Sequence, residues 1–238
     1  MDKDITKLNN IIDNSKEIVF LGGAGVSTES GIPDFRSKDG IYNQKYKYDP
    51  EYMLSISCFL DKPEIFYNFY FDKMIYENIK PNVTHFKLAE LESRGILNAV
   101  ITQNIDGLHQ MAGSKNVVEL HGNVYSFHCF RCNKKYSLKD IRREGIPRCI
   151  CGGILKPDIV LYGEMLDTDV SNRAIYEISK ADTLIIGGTS LKVNTAFSLI
   201  RYFKGNNLVI INNEKTAYDN RANLVLHKKL GEVFKNIK

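Results

Sequence analysis

Long apolar runs are missing from this chain. Its longest apolar stretches, such as Ile18-Val19-Phe20-Leu21, are strand-sized and fall short of the roughly 18–20 residues that a membrane-spanning helix needs. The N-terminus carries Asp2 and Asp4 in place of the basic-then-apolar layout of a secretion signal. A soluble, cytoplasmic protein with no membrane partner is expected. Internal repeats and low-complexity tracts are absent, and 43% hydrophobic with 25% charged residues excludes disordered and fibrous architectures. No charge sign dominates: 32 basic and 28 acidic residues leave a formal net of +4. A length of 238 residues suits one larger domain, or one domain with an inserted lobe, and can bury a core without disulfide staples.

Cysteine is sparse and odd in number. Four of the five fall in Cys129-Phe130-Arg131-Cys132 and Cys149-Ile150-Cys151, and Cys58 stands alone. Without a secretion signal, such clustering favours a metal over disulfides. The spacing C-x2-C-x16-C-x-C offers four thiolates at knuckle distances, which suits tetrahedral zinc and leaves no open coordination position, hence a structural ion. Unrelated buried thiols are the other reading of the same residues. The second knuckle is C-x-C, tighter than the commoner C-x2-C. Cys58 reads as a small buried hydrophobe. Between Cys129 and Lys156 the chain holds eight Lys/Arg and two acids. A zinc tetrathiolate carries formal charge −2, so this excess reads as charge balance on a solvated face, and nucleic acid is not an expected partner.

Apolar periodicity predicts a first helix through Ile5, Leu8, Ile11 and Ile12, then a buried strand from Ile18 to Leu21. Helices are predicted over Phe59–Glu77, Thr84–Gly95, Asp169–Ser179 and Asn194–Tyr202, with a terminal helix or frayed tail from Glu232. Strands are predicted over Leu97–Ile101, Val117–Leu120, Pro157–Tyr162, Thr183–Ile186 and Leu208–Ile211. Short Val/Ile/Leu strands alternating with helices predict an α/β fold, a Rossmann-like parallel sheet covered by helices on both faces. The cysteine block interrupts the alternation and is expected to form a separate smaller lobe.

The strand exits carry the chemistry. Ile18–Leu21 runs into Gly22-Gly23-Ala24-Gly25-Val26-Ser27, Leu97–Ile101 into Thr102-Gln103-Asn104-Ile105-Asp106-Gly107, Val117–Leu120 into His121-Gly122, Thr183–Ile186 into Gly187-Gly188-Thr189-Ser190, and Leu208–Ile211 into Asn212-Asn213. Ligands of open α/β sheets bind beyond the carboxyl ends of the strands. Glycines admit close backbone approach, and free N–H groups at helix starts favour phosphate. One Gly-rich turn alone equally describes a tight turn, and Thr28 replaces the third glycine of G-x-G-x-x-G. Five polar or Gly-rich exits at one edge describe a dinucleotide site. His121, at a strand exit before a glycine, is placed either as a structural histidine or as a general base.

Several of these segments resemble sirtuins, the NAD-dependent protein-lysine deacylases: Gly23 to Arg36, Thr102 to His109, Leu120-His121-Gly122, the cysteine pairs, Lys156 to Glu164, and Gly188-Thr189-Ser190-Leu191. The matches run in family order from about residue 16 to residue 235, and the chain looks like a compact bacterial-type member. The resemblance implies a Rossmann-like NAD-binding domain (1–36, 84–121 and 158–238) and a small lobe (37–83 and 122–157) built from a helical insert and a four-cysteine zinc ribbon. NAD is implied as a consumed co-substrate, and Zn2+ as a structural ion on Cys129, Cys132, Cys149 and Cys151.

By the same resemblance, Ala24, Gly25, Thr28, Phe35 and Arg36 surround the diphosphate and nicotinamide ribose. Gln103, Asn104, Ile105 and Asp106 line the nicotinamide side, while Thr189, Ser190 and Asn212 hold the adenosine half, with a backbone contact near Lys229. The implied catalytic residues are His121, Asn104 and Asp106: Asn104 and Asp106 orient the carboxamide and a water, and His121 deprotonates a ribose hydroxyl that attacks the alkylimidate. Free lysine, nicotinamide and O-acetyl-ADP-ribose result. Val160, Leu161, Tyr162, Gly163 and Glu164 on one side, and Leu191, Lys192 and Val193 on the other, would pair with an extended acetyl-lysine peptide or protein. Sirtuins that prefer succinyl or malonyl lysine carry a Tyr-x-x-Arg pair. Here Tyr67 is present but Tyr70 takes the arginine's place, so deacetylation with weak desuccinylation is expected. The family's proline after the Ser-Leu-x-Val segment is replaced by Thr195. A monomer is expected. A mono-ADP-ribosyltransferase and a non-catalytic NAD-sensing zinc protein are the alternatives.

Overall fold

A computed structural model describes residues 2–35, 40–191 and 198–238. Six strands form one all-parallel sheet: β1 (Ile18–Gly22), β2 (Leu97–Thr102), β3 (Val117–Glu119), β7 (Thr183–Gly187), β8 (Asn207–Ile211) and β9 (Leu224–Leu226), in the order β3-β2-β1-β7-β8-β9. The first three strands step outward from β1, and the rest step outward from β7 on its other side. Every residue of β1 and β7 is buried, as both-face coverage requires. Strand alternation divides them between two cores. Ile18 and Phe20 join Ile5, Leu8, Leu88, Leu91 and Phe234 on one face, and Val19 and Leu21 join Ala174, Ile178, Leu199 and Ile200 on the other.

Helices α1 (Lys3–Asn14), α5 (Val83–Ser93) and α8 (Leu230–Phe234) cover the first face, and α7 (Thr168–Lys180) covers the second. Their starts are set locally. The Asp2 side chain caps α1 by accepting from the Asp4 N–H, Asp167 caps α7 through the N–H groups of Asp169 and Val170, and Asn82 caps α5 through Thr84. Such caps satisfy backbone donors that the helix itself leaves free. Gly95, at φ +71, follows the end of α5, the left-handed stop that glycine tolerates. The tail from Glu232 is not frayed, because Leu230, Val233 and Phe234 are buried and Phe234 meets Phe20 edge-on at 5.8 Å.

A smaller antiparallel sheet, order β5-β4-β6, comprises β4 (Gly122–Cys129), β5 (Lys135–Ser137) and β6 (Leu155–Ile159). Pro157 sits in β6, an edge strand, where a missing N–H is tolerated. One core joins this sheet to the helical segment of α2 (Pro50–Met53), α3 (Ile56–Asp61) and α4 (Pro63–Lys73), packing Phe59, Phe66 and Tyr70 against Val124, Phe127 and Leu155. Ribbon and helical insert therefore share one core. The small helix α6 (Leu108–Met111) lies between β2 and β3 in sequence.

Three expectations are corrected. The helix predicted over Phe59–Glu77 is two helices, broken before Pro63, which lacks the N–H needed to continue α3, and it ends at Lys73. The strand predicted over Pro157–Tyr162 starts earlier, at Leu155, and stops at Ile159. Strand β9 was not anticipated. Of the predicted helix Asn194–Tyr202, residues 198–200 are helical. Arg36, Lys192, Val193, Asn194 and Thr195 lie outside the described residues. No helix among the described residues is long and apolar enough to cross a membrane.

Candidate active site and metal centre

Strand order reverses between β1 and β7, the switch point at which open α/β sheets bind ligands. Both strands end there in glycine. The Gly23 N–H donates to the Gly187 carbonyl at 3.2 Å, and the Gly25 N–H donates to the Gly188 carbonyl at 2.8 Å. A Cβ on Gly25 would lie 2.7 Å from Gly188 Cα, and Gly188 itself has φ +61. Only glycine allows the two loops to touch. The loop then makes two short 3-10 turns, Ala24–Val26 and Thr28–Ser30.

Beside it, the exit of β2 folds into a hydrogen-bonded cluster. Ser27 Oγ donates to Asp106 Oδ2 at 2.6 Å, Asn104 Nδ2 donates to Ser27 Oγ at 2.9 Å, and the Leu108 N–H donates to Asp106 Oδ1 at 2.9 Å. Desolvation raises the Asp106 pKa, and the Ser27, Leu108 and Asn104 donors oppose it. Gln103 reaches the other way: its Oε1 accepts from Thr189 Oγ1 at 3.0 Å, while its Nε2 is buried with no partner. A buried amide donor aimed beside a glycine crossing, at a switch point, is the donor set that a dinucleotide fits.

His121 follows β3. Its Nδ1 lies 2.9 Å from the Gln103 carbonyl oxygen. A carbonyl only accepts, so Nδ1 carries the proton and Nε2 of the neutral ring keeps a free lone pair. Burial lowers the His121 pKa below the ordinary 6.5, and the Gln103 carbonyl partly restores it. Behind His121, Gly122 has φ +77 and a Cβ there would lie 1.9 Å from the Asp158 carbonyl oxygen. The Val160 N–H donates to the His121 carbonyl at 2.9 Å, which ties the segment 160–164 to this exit.

In that segment the Tyr162 N–H donates to the Leu54 carbonyl and the Ile56 N–H to the Tyr162 carbonyl, both at 3.0 Å. The Leu161 N–H donates to Glu164 Oε2 at 2.9 Å, and Glu164 pairs with buried Lys156 at 3.0 Å. Phe35 meets Tyr42 edge-on at 5.4 Å, and the Tyr42 and Tyr162 hydroxyls are 2.6 Å apart.

The structure thus brings Ala24, Gly25, Gln103, Asn104, Asp106, His121 and Thr189 together. Thr28 joins them through its Oγ1, which donates to the Gly25 carbonyl at 3.1 Å. Ile105 accepts at its carbonyl from the Val124 N–H, linking the cluster to the ribbon. Ser190 and Leu191 continue the β7 exit, Leu191 at φ +55. Asn212 stands at the exit of β8, its N–H on the Leu226 carbonyl. Lys229 is the cap residue of α8, two residues before the Gly231 N–H that Glu29 holds at 2.7 Å. Ser27, the hub of the cluster, was not among the sequence candidates. Its position inside the Gly-rich loop was the available signal.

The four clustered cysteines converge, all Sγ atoms lying within 4.8 Å of one another, with Cys129–Cys151 and Cys132–Cys151 at 3.5 Å and Cys132–Cys149 at 3.6 Å. A zinc tetrathiolate with bonds of about 2.3 Å has sulfur–sulfur edges of roughly 3.8 Å, so the set fits a structural ion. The Cys151 N–H and the Tyr136 hydroxyl hold the Cys149 thiol down to about 6. Cys58 is fully buried in the small-lobe core, and desolvation raises its pKa.

The pattern of the Sir2 family matches residues 23–195. An NAD-dependent protein deacetylase of Clostridium perfringens is 57% identical over 238 residues, covering 98% of each chain. A deacetylase of the same name from Clostridium acetobutylicum is 52% identical over 242 residues, covering all of this chain and 98% of the relative. Among solved structures, a Sir2 protein bound to acetylated peptide is similar at TM-score 0.86 and 38% identity, over 99% of this chain and 96% of that one. A Sir2 complex with p53 peptide and NAD+ is similar at TM-score 0.86 and 39% identity, with the same coverage.

Proposed function

Because this chain belongs to the Sir2 family, we propose that it is an NAD-dependent protein-lysine deacetylase. One observation carries the reading: His121 is held by the Gln103 carbonyl with Nε2 available as a base, beside the Asp106–Ser27–Asn104 cluster at the sheet's switch point. NAD, as co-substrate, supplies the ADP-ribose that accepts the acyl group and the nicotinamide that leaves.

The chain's own residues have distinct tasks. His121, neutral at pH 7 because its pKa is lowered, takes a proton from a ribose hydroxyl at Nε2. Asp106 and Asn104, locked by Ser27, orient the carboxamide, a positioning effect. The unpartnered Gln103 Nε2 offers a donor on the same side. Ala24, Gly25, Thr28 and Phe35 would enclose the diphosphate and adjacent ribose. Thr189, Ser190, Asn212 and the Lys229 backbone serve the adenosine end. Cys129, Cys132, Cys149 and Cys151 would hold a structural zinc with no open coordination position for substrate.

The acetyl-lysine peptide enters extended along 160–164, on the side of the β7 exit that carries Leu191. The N–H groups of Val160, Leu161, Tyr162 and Glu164 and the carbonyls of Leu161 and Tyr162 are already engaged, so strand pairing with the peptide falls to the Gly163 N–H and the carbonyls of Val160, Gly163 and Glu164. NAD is held by 1–36, 84–121 and 158–238, and the peptide lies between that part and the lobe of 37–83 and 122–157. The enzyme works in the cytoplasm as a monomer.

Incubation with NAD and an acetyl-lysine peptide, followed by mass spectrometry, tests the proposal. Free lysine peptide with O-acetyl-ADP-ribose in equal amounts supports it. ADP-ribosylated protein without deacetylation assigns a transferase, and NAD binding without turnover assigns a sensor.

A further inference from the structure

The two cysteine knuckles are not equally supplied with hydrogen-bond donors. In the C-x2-C knuckle, Cys129 Sγ accepts from the N–H groups of Arg131 and Cys132, each at 3.4 Å. In the C-x-C knuckle, Cys149 Sγ accepts one backbone donor, the Cys151 N–H at 3.5 Å. The next N–H along, that of Gly152, is bonded to the Cys149 carbonyl oxygen at 2.8 Å rather than to sulfur. The shorter turn therefore supplies one donor fewer. Packing does not compensate, since Ile150 at the tip is 87% exposed.

We infer that Tyr136 completes the short knuckle: its hydroxyl donates to Cys149 Sγ at 3.1 Å and holds that sulfur in a metal-ready position. Tyr136 lies on β5, paired across to Phe127 on β4, and its ring packs against the small-lobe core. The bond thus runs from the strand that follows the first knuckle to the first ligand of the second, and joins the two halves of the ribbon. Four thiolates on one divalent ion leave a net charge of −2, and each donor to sulfur disperses part of it. Outer donors of this kind typically change metal affinity by about 10- to 100-fold.

Tyr136→Phe in the full chain removes the hydroxyl and keeps the ring. Zinc affinity is measured by competition with a metallochromic chelator, and the thiolate-to-metal charge-transfer band is recorded after cobalt substitution. Zinc affinity is expected to fall about tenfold or more, and the cobalt band to move to lower energy, because a thiolate without its donor gives up charge more readily. Unchanged zinc affinity overturns the inference. Weaker affinity with an unshifted band also overturns it, by assigning Tyr136 to packing. Neither readout depends on catalysis.

Discussion

The carboxylate of Glu29 accepts a hydrogen bond from the Gly231 N–H at 2.7 Å, tying the Gly-rich loop after β1 to the start of the last helix. A Cβ on Gly231 would come within 2.6 Å of that carboxylate, so the contact depends on glycine. Glu29→Ala removes the acceptor and is expected to cost about 1 kcal/mol, a fall of roughly 2–4 °C in Tm for a chain of this size. It should also raise the KM for NAD, since the loop loses its anchor. Thermal melts and NAD titrations check both, and Glu29→Gln, which keeps an acceptor oxygen, should retain most of the wild-type value.

Activity should survive to lower pH than an ordinary histidine base allows. Burial lowers the His121 pKa, so the neutral, base-competent ring persists below 6.5, and the rate declines only as pH falls through the lowered value. The acid limb of kcat/KM is the measurement. A limb centred at or above 6.5 contradicts the assignment.

Stability should decline with acid for a separate reason. His85 and His109 are buried with ring centroids 4.7 Å apart. Desolvation lowers His85 to about 4, and desolvation with the neighbouring His85 lowers His109 to about 3. The unfolded chain binds protons at these residues from about 6.5, the folded chain only well below. Stability is therefore full above that pH and is lost as pH falls toward 4 and 3, on the order of 3 kcal/mol for His85 when complete. Denaturant melts between pH 7 and 5 read the slope, and His109→Gln should flatten it.

Gly122→Ala should abolish the folded junction between β3 and the ribbon, because the added Cβ meets the Asp158 carbonyl at 1.9 Å and the residue sits at φ +77. Loss of soluble protein, or a Tm lowered by more than 10 °C, roughly 3 kcal/mol or more, is the expected outcome. A stable, active variant contradicts the packing described.

Acetyl-lysine should be turned over faster than succinyl-lysine. Tyr67 and Tyr70 are both fully buried, with hydroxyls on the carbonyls of Leu155 and Val124, and neither offers a cation to a carboxylate. Tyr70→Arg would bury an unpaired guanidinium and is expected to destabilise the lobe, so paired peptides on the unaltered protein make the cleaner comparison. Equal turnover contradicts the expectation.

Where the chain writes a feature into local pattern, the sequence was readable. The buried run Ile18–Leu21, the Gly-rich exits and the cysteine spacing each carry a local signature. Strand β9 has only three residues, Leu224–Leu226, too few for a period, and it exists because β8 offers a partner edge. The α3–α4 break was written in Pro63, but aromatics on several faces hid it. Ser27 was overlooked because its role comes from Asp106 and Asn104, 79 and 77 residues away in the chain. Tyr136 and the His85–His109 pair are likewise products of tertiary packing, with no spacing to announce them.

The most direct test of the central claim is deacetylation by wild type and His121→Tyr, each loaded with zinc and shown to be folded, assayed with NAD and an acetyl-lysine peptide by mass spectrometry. Loss of its general base should slow the variant by about 10²-fold or more, with zinc content unchanged. A variant that deacetylates at the wild-type rate would contradict the role assigned to His121.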